Sequence, residues 1–484
     1  GARLAPAETN DIGALSADVA LADGESGIGP RSDVQADGDD VATPSRAGPG
    51  GLWALFLGLF LLMLGNGLNG AVVAIRTDIE GFDVAVTGLV MAGYFAGFLL
   101  SPSAVVRMVP AVGHVRVFAG LASMASSAVL IHSVSSDPVT WTLMRFVFGF
   151  CAAGLYVVIE SWLNDSTSPE HRGRTLSFYM IVSMMGLGAG QLLVGIGDVE
   201  GYALFVLASV LVSMSLVPMT LAASTSPPPM KASERTSVKE VWGFAASGLL
   251  AAGMAGVVTG AVFGLAAVYA ARSGVSIERT GLFISMPMIG AVVLQFPIGW
   301  ASDRLPRRGV IFAVACGLVT AGVLLALVDA TSVVALGLMF VLGGTMFPLY
   351  SLALTYTLDW TSEAKTVGAS GTLIRVNGTG AVVGPLVGAA LMSGFGDRWL
   401  FWLVAAAGGV VVTFIGVRIV TRDGLPMDRQ RPFVNIPGRA SEFVYRMAPR
   451  PAVTVAKKVA APAKLVAAPV TAAKRKVRSR SQPD

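Results

Sequence analysis

Between residues 51 and 421 the chain alternates long apolar runs with short polar breaks. Crossing a bilayer takes an α-helix of about 20 residues. Twelve runs approach or exceed that length, at 52–75, 87–108, 115–135, 139–163, 174–197, 201–222, 240–271, 280–301, 309–329, 332–357, 367–393 and 398–420. None shows the residue-by-residue alternation of apolar and polar positions found in membrane β-barrel strands. The pattern predicts an all-α polytopic membrane protein. A Pro-, Ser- and Lys-containing linker at 223–239 separates the sixth run from the seventh. The seventh run is overlong, which predicts an interfacial first turn.

Hydrophobic residues fill 54% of the 484 positions and charged residues only 13%, with 57 glycines besides. Soluble domains carry about 25% charge, so a water-soluble fold and a coiled coil are excluded. The charge sits at the ends: −6 over residues 1–50, +10 over 422–484 and +1 between them. Both ends are too polar to offset the entropy of ordering them, which predicts a disordered acidic tail at 1–50 and a disordered basic tail at 422–484. The first lacks the basic stretch and apolar core of a signal peptide. The second ends in KRKVRSRS. It reads either as a basic arm drawn to anionic lipid head groups or as a solvated tail that helps fix topology. Cys151 and Cys316 lie in apolar runs and the three histidines are dispersed, so no disulfide framework, metal site or cofactor is predicted.

Basic residues in the loops set the expected orientation. Arg107, Arg116, Arg172, Arg174, Lys231, Arg235, Lys239, Arg304, Arg307, Arg308 and Lys365 fall on the side from which the first run starts. Arg76, Arg272, Arg279 and Arg398 fall on the other. This asymmetry predicts cytoplasmic termini on a protein of the plasma (bacterial cytoplasmic) membrane.

The chain also repeats itself. A shift of 194 residues superposes Phe118 on Phe312, Gly149 on Gly343, Tyr156 on Tyr350, Gly186 on Gly380 and Gly190 on Gly384. A shift of 193 brings Thr87-Gly88-Leu89 onto Thr280-Gly281-Leu282 and Gly97 onto Gly290. Two pseudo-symmetric six-helix bundles follow, at 51–222 and 240–421. In such parallel repeats a substrate site lies near the midplane between the halves.

Three local patterns resemble the major facilitator superfamily: GWASDRLPRR at 299–308, RFVFGFCAAG at 145–154 and PEHRGR at 169–174. GHVRVF (113–118) and IESWLN (159–164) further resemble its YcaD-type branch. The loop at 101–116 departs from the pattern, with Val109 where the repeat of Asp303 would fall. The Gly-Pro element that drug exporters of the family carry in the fifth helix stands here in the eleventh, as GPLVG at 384–388. The resemblance implies a transporter outside the multidrug antiporter group.

Charged residues inside the runs are the candidate site. Glu160 lies about a turn from the inner end of the fourth run. It reads either as a protonatable coupling group or as a gate latch paired with Arg107 or Arg116, and the resemblance favours the latch. Asp303 is expected to accept free backbone N–H groups at the start of the fifth helix or to stabilise its own loop, and the resemblance implies that, with Arg304, it acts in conformational change. Arg304, Arg307 and Arg308 also serve as positive-inside anchors. Arg375 lies about 12 Å into the eleventh run. A guanidinium at that depth must meet a polar cavity or a carboxylate, so Arg375 is expected either to bind an anionic or carboxylate-bearing solute or to form an interhelical ion pair. Arg145, nearer the outer face, is expected to snorkel. Asn66, Asn69, Gln191, Gln295 and Asn377 can line a cavity or bond neighbouring helices. Asn377, about 200° round the helix from Arg375, need not share its cavity.

Glycines four apart, as in Gly93/Gly97, Gly186/Gly190, Gly256/Gly260/Gly264 and Gly380/Gly384/Gly388, predict close helix contacts within a monomer. Enzyme chemistry finds no support: GASG at 368–371 has no histidine at matching depth, and no phosphate-cradling lysine loop exists. The expected function is secondary active transport of a small solute by alternating access, with protons as a candidate coupling ion and no nucleic-acid partner. The alternative is a non-transporting membrane sensor or scaffold of the same fold.

Overall fold

The computed structural model describes residues 49–168, 170–221, 236–362, 365–422 and 424–433. The acidic tail, most of the 223–239 linker with Lys231 and Arg235, Pro169 of the PEHRGR loop and the basic tail beyond 433 lie outside the described residues. The first half comprises α1 (Pro49–Ile79), α2 (Val84–Val112), α3 (His114–Val134), α4 (Pro138–Ser166), α5 (Arg172–Leu192), α6 (Ala203–Met214) and α7 (Leu216–Leu221). The second comprises α8 (Val238–Arg272), α9 (Ile277–Arg304), α10 (Arg307–Leu327), α11 (Val333–Asp359), α12 (Thr366–Phe395) and α13 (Trp399–Thr421). With α6 and α7 counted together, twelve spans are long and apolar enough to cross a membrane. No strand occurs among the described residues.

Local chemistry accounts for the breaks. Pro218 has no N–H to donate to the carbonyl of Met214, and the sixth span divides there into α6 and α7. Asp83, Asp137, Ser237 and Ser332 cap α2, α4, α8 and α11 by accepting backbone N–H groups. The overlong α8 carries a non-helical residue, Ala245, at φ −135° and ψ 43°, so its first seven residues form a separate stretch of about two turns rather than a straight extension. Gly81 and Gly274, one repeat apart, turn the chain after α1 and α8 at φ 72° and 76°. A side chain is strained in that left-handed region.

The repeat is recorded in the helix crossings. A methyl group on Gly97 would overlap the carbonyl oxygen of Phe146, and one on Gly149 that of Tyr94, so α2 and α4 meet backbone to backbone. The pair α9 and α11 repeats this, with Gly290 on the Phe340 carbonyl and Gly343 on that of Pro287. Gly190 meets the Leu64 carbonyl where α5 crosses α1, and Gly384 meets that of Val257 where α12 crosses α8. These contacts superpose at shifts of 193 and 194. The glycine stripes therefore serve packing inside each half.

The halves join along three lines, α2 with α12, α5 with α9 and α1 with α8. Gly88 meets Ala389 and Pro385, Gly195 meets Glu278, and Gly281 meets Gln191 and Val194. Arg272 at the end of α8 pairs with Asp78 near the end of α1 at 3.3 Å and with Asp397 at 2.9 Å. These contacts all belong to the ends remote from the chain termini. On the terminus-bearing face, Lys365 pairs with Glu240 within the second half.

Candidate functional site

A narrow cleft lies between the halves, walled by α1, α2, α4 and α5 on one side and α8 and α9 on the other. Gly70 keeps its first wall open, since a Cβ there meets nothing within 4 Å, whereas a Cβ on Gly67 would overlap the Leu187 carbonyl where α1 crosses α5. Asn66, Tyr94, Arg145 and Gln191 supply its polar groups, set among Leu187, Phe263, Ile284 and Met288. Asn66 donates through Nδ2 to the hydroxyls of Tyr156 at 2.8 Å and Tyr94 at 3.3 Å, which fixes its amide toward α2 and α4. The Arg145 guanidinium lies 4.8 Å from the centre of the Tyr94 ring and its Nη2 is 3.7 Å from Met91 Sδ. Among the described residues the lining contains one cation, Arg145, and no carboxylate.

Arg145 therefore differs from the sequence expectation. It does not snorkel to the outer face: it is only 5% exposed and lines the cleft. The α2–α4 crossing at Gly97 and Gly149 brings the Tyr94 ring beneath its guanidinium, a partner that axial depth alone does not reveal.

Arg375 is not among the cleft-lining residues. It is exposed, nine residues into α12, and donates to Thr372 Oγ1 at 3.0 Å. It follows the α12 stripe that meets α2, one turn beyond the Gly378–Leu99 contact. Asn377 points to α8, donating to the Ala252 carbonyl at 3.0 Å, and so bonds two helices rather than lining the cleft. Gln191 lines the cleft, and its Oε1 makes no hydrogen bond among the described residues. Asn69 is buried in the first half, with neither amide atom bonded among the described residues. Gln295 is buried two turns from Met288 on the same face of α9.

Glu160 is fully buried in α4 and accepts the Tyr179 hydroxyl at 2.5 Å. Arg107 and Arg116 are both exposed, and neither appears in an ion pair among the described residues. Beside Glu160, Ser161 meets His114 Nε2 at 3.2 Å and Trp162 packs edge-on against the His114 ring at 6.4 Å. The sequence reading missed Tyr94, Tyr156 and Tyr179. Tyr156 carried a signal, since it recurs as Tyr350.

The loop after α9 also differs from expectation. Asp303 accepts the backbone N–H of Phe433, at 2.7 Å, so its donor comes from the segment after α13 and not from α5. Arg304 lies over the Trp300 ring at 4.3 Å. Arg307 and Arg308 are buried rather than displayed as surface anchors. Arg307 pairs with Asp359 and donates to the Arg431 carbonyl at 2.7 Å, while Asp359 accepts the Arg431 N–H at 2.8 Å. Residues 424–433, expected to begin a disordered tail, thus pack back onto the second half. The expectation failed because a segment with few apolar groups is held here by backbone hydrogen bonds to buried charges.

Two six-helix halves with equivalent crossings and a polar cleft between them define a helical membrane protein of the solute-carrier kind. The model for the Major Facilitator Superfamily matches residues 55–358 and again 248–478. The chain belongs to that superfamily. It is 27% identical over 358 residues to an uncharacterized MFS-type transporter of Enterobacter sp. (strain 638), covering 73% of this chain and 91% of that one. It is 26% identical over 375 residues to the uncharacterized MFS-type transporter YcaD of Escherichia fergusonii, covering 76% and 94%. Among solved structures, the nucleoside transporter NupG matches with a TM-score of 0.64 at 14% identity, covering 77% of this chain and 100% of that one. An inward-facing, occupied bacterial homologue of the human lysosomal transporter Spinster matches with a TM-score of 0.60 at 16% identity, covering 76% and 94%. These likenesses bear on the fold.

Proposed function

We propose that the protein carries a small anionic or carboxylate-bearing solute across the bacterial cytoplasmic membrane by alternating access. The observation behind this reading is the cleft's charge: Arg145 lines it, and no carboxylate among the described residues does. A permanently charged guanidinium in a low-dielectric cavity favours an anion and disfavours a cation. Asn66, Gln191 and the Tyr94 hydroxyl add groups able to orient a polar solute, and the Phe263 and Met288 side chains add apolar contact. With both termini cytoplasmic, the Arg272–Asp78 pair closes the outer end, and the conformation is inward-facing.

Proton coupling through Glu160 is the finer part of the proposal, supported by its burial and by the Tyr179 hydroxyl held against it. Charging a carboxylate inside a membrane is costly, and taking up a proton removes that cost. The test is uptake into proteoliposomes of a panel of carboxylates and their neutral amides, with and without a pH gradient. Carboxylate-selective flux that rises with the gradient in wild type and loses that rise in Glu160→Gln supports both parts. Gradient-insensitive flux removes the coupling role, and absence of flux across the panel removes the transport reading in favour of a sensor or scaffold.

A further inference from the structure

We propose that the second half holds an anionic phospholipid, with its phosphate at Arg308, Arg418 and Arg422 and an acyl chain in the groove between α8 and α13. Two adjoining cavities carry the inference. One, of about 320 Å³, lies at the terminus-bearing end and is lined by Arg308, Trp360 and Arg422, by the Arg307–Asp359 pair, and by residues 424–425 and Gln430 of the returning segment. The other, of about 820 Å³, is lined by Trp242, Leu250, Gly409, Val410, Phe414 and, at its end, Arg418 and Arg422. Arg422 lines both, so the polar cavity and the apolar groove share a junction.

The polar part is a built site. Arg308 is 8% exposed and is fixed by three bonds: Nε to the Tyr356 hydroxyl at 3.1 Å, and Nη1 to the carbonyls of Arg422 at 2.9 Å and Arg418 at 3.4 Å. Those bonds also bring three guanidinium-bearing residues together. None of the three is in an ion pair among the described residues, because Asp359, the nearby buried carboxylate, pairs with Arg307. The Trp360 indole N–H, in the wall of the same cavity, makes no hydrogen bond among the described residues. Three cations outside any ion pair and an unbonded donor among the described residues call for an anion.

The apolar part says where that anion comes from. Val410 and Val417 are exposed on the outward surface of α13, so the groove faces the hydrocarbon. Trp242 and Phe414 pack at 5.9 Å near its basic end, and the Arg418 guanidinium lies 5.0 Å from the Phe414 ring. Gly409 leaves the groove floor open: a Cβ there meets nothing within 4 Å. A long apolar trough that ends in clustered arginines at the membrane boundary matches a lipid's chain and head group in that order.

The test uses full-length protein in mild detergent, titrated with phosphatidylglycerol, with phosphatidylcholine of the same chains, or with inorganic phosphate. Binding is read by native mass spectrometry and by melting temperature. We expect phosphatidylglycerol to bind about tenfold or more tighter than phosphatidylcholine, and phosphate alone to leave the melting temperature unchanged. The double variant Arg418→Gln/Arg422→Gln keeps the backbone carbonyls that hold Arg308, and is expected to weaken phosphatidylglycerol binding about 30-fold. Gly409→Leu projects into the trough from a position where a Cβ meets nothing within 4 Å, and is expected to weaken both lipids while the unliganded melting temperature stays put. Equal binding of the two lipids, full stabilisation by phosphate alone, or wild-type lipid binding by Gly409→Leu overturns the proposal.

Discussion

A single methyl group placed on Gly149 or Gly343 reports whether the two halves are built on the same crossing. The added Cβ of Gly149 would overlap the carbonyl oxygen of Tyr94, and that of Gly343 the carbonyl of Pro287. Backbone cannot rotate away as a side chain can, so the helices must separate. Overpacking of this kind costs about 1–3 kcal/mol. It is opposed by the gain in helix propensity from Gly to Ala, up to about 1 kcal/mol in water. Gly120 and Gly337 isolate the second effect, since a Cβ at either meets nothing within 4 Å. The assay is the melting temperature of purified protein in one detergent. Gly149→Ala and Gly343→Ala should both melt below wild type, and Gly120→Ala and Gly337→Ala should not. Gly149→Ala should in addition reduce solute binding, because α2 and α4 carry Tyr94 and Arg145. Wild-type melting of both crossing variants would refute the packing argument, as would equal losses in the two controls.

Breaking the Arg307–Asp359 pair with Asp359→Ala should destabilise the second half by about 3–5 kcal/mol, because a buried cation loses its carboxylate; deleting residues 424–433 should cost less, since the pair itself survives, and melting temperatures rank the two. Arg272→Ala removes two partly exposed pairs, with Asp78 and Asp397, each worth about 1 kcal/mol at most, so its main effect should be conformational: labelling of a cysteine introduced at the outer end of α1 should rise while the melting temperature moves little. Asp137 caps α4 by accepting the N–H and hydroxyl of Thr140, which hold its carboxyl below the usual carboxylate range. A depressed folded-state value stabilises above the ordinary pKa and is lost as pH falls through the folded one, so Asp137→Asn should lower the melting temperature at pH 7 by an amount that shrinks as the pH falls below the ordinary carboxylate range.

Runs of apolar residues were enough to place all twelve spans, because hydrocarbon leaves the backbone few alternatives to helix. The repeat was equally legible: the glycines that superpose at shifts of 193 and 194 are the ones at equivalent crossings. The breaks were less so. Pro218 could have signalled the division of the sixth span, whereas nothing local marks Ala245. The candidate site was legible in residue type and only partly in position. Distance along a helix gives depth, and the face is then decided by packing partners. Arg145 and Arg375 were both recognised as buried-span cations, yet the cleft received Arg145 because Gly97 and Gly149 let α2 and α4 approach. Asn377 went to a helix contact for the same kind of reason, the nearness of the Ala252 carbonyl. The burial of Arg307 depends on a segment more than a hundred residues away, which no pattern around Arg307 announces.

The central claim is that Arg145 gives the cleft its preference for anions. The direct measurement is flux of a transported carboxylate in proteoliposomes, compared with its neutral amide, for wild type, Arg145→Gln and Arg375→Gln. Losing a charge-assisted hydrogen bond corresponds to about 1.5–3 kcal/mol, or roughly 10- to 150-fold. Arg145→Gln should lose that much carboxylate flux and nearly all discrimination against the amide, while Arg375→Gln keeps both. Carboxylate flux and selectivity that survive Arg145→Gln, or that vanish only in Arg375→Gln, would contradict the account.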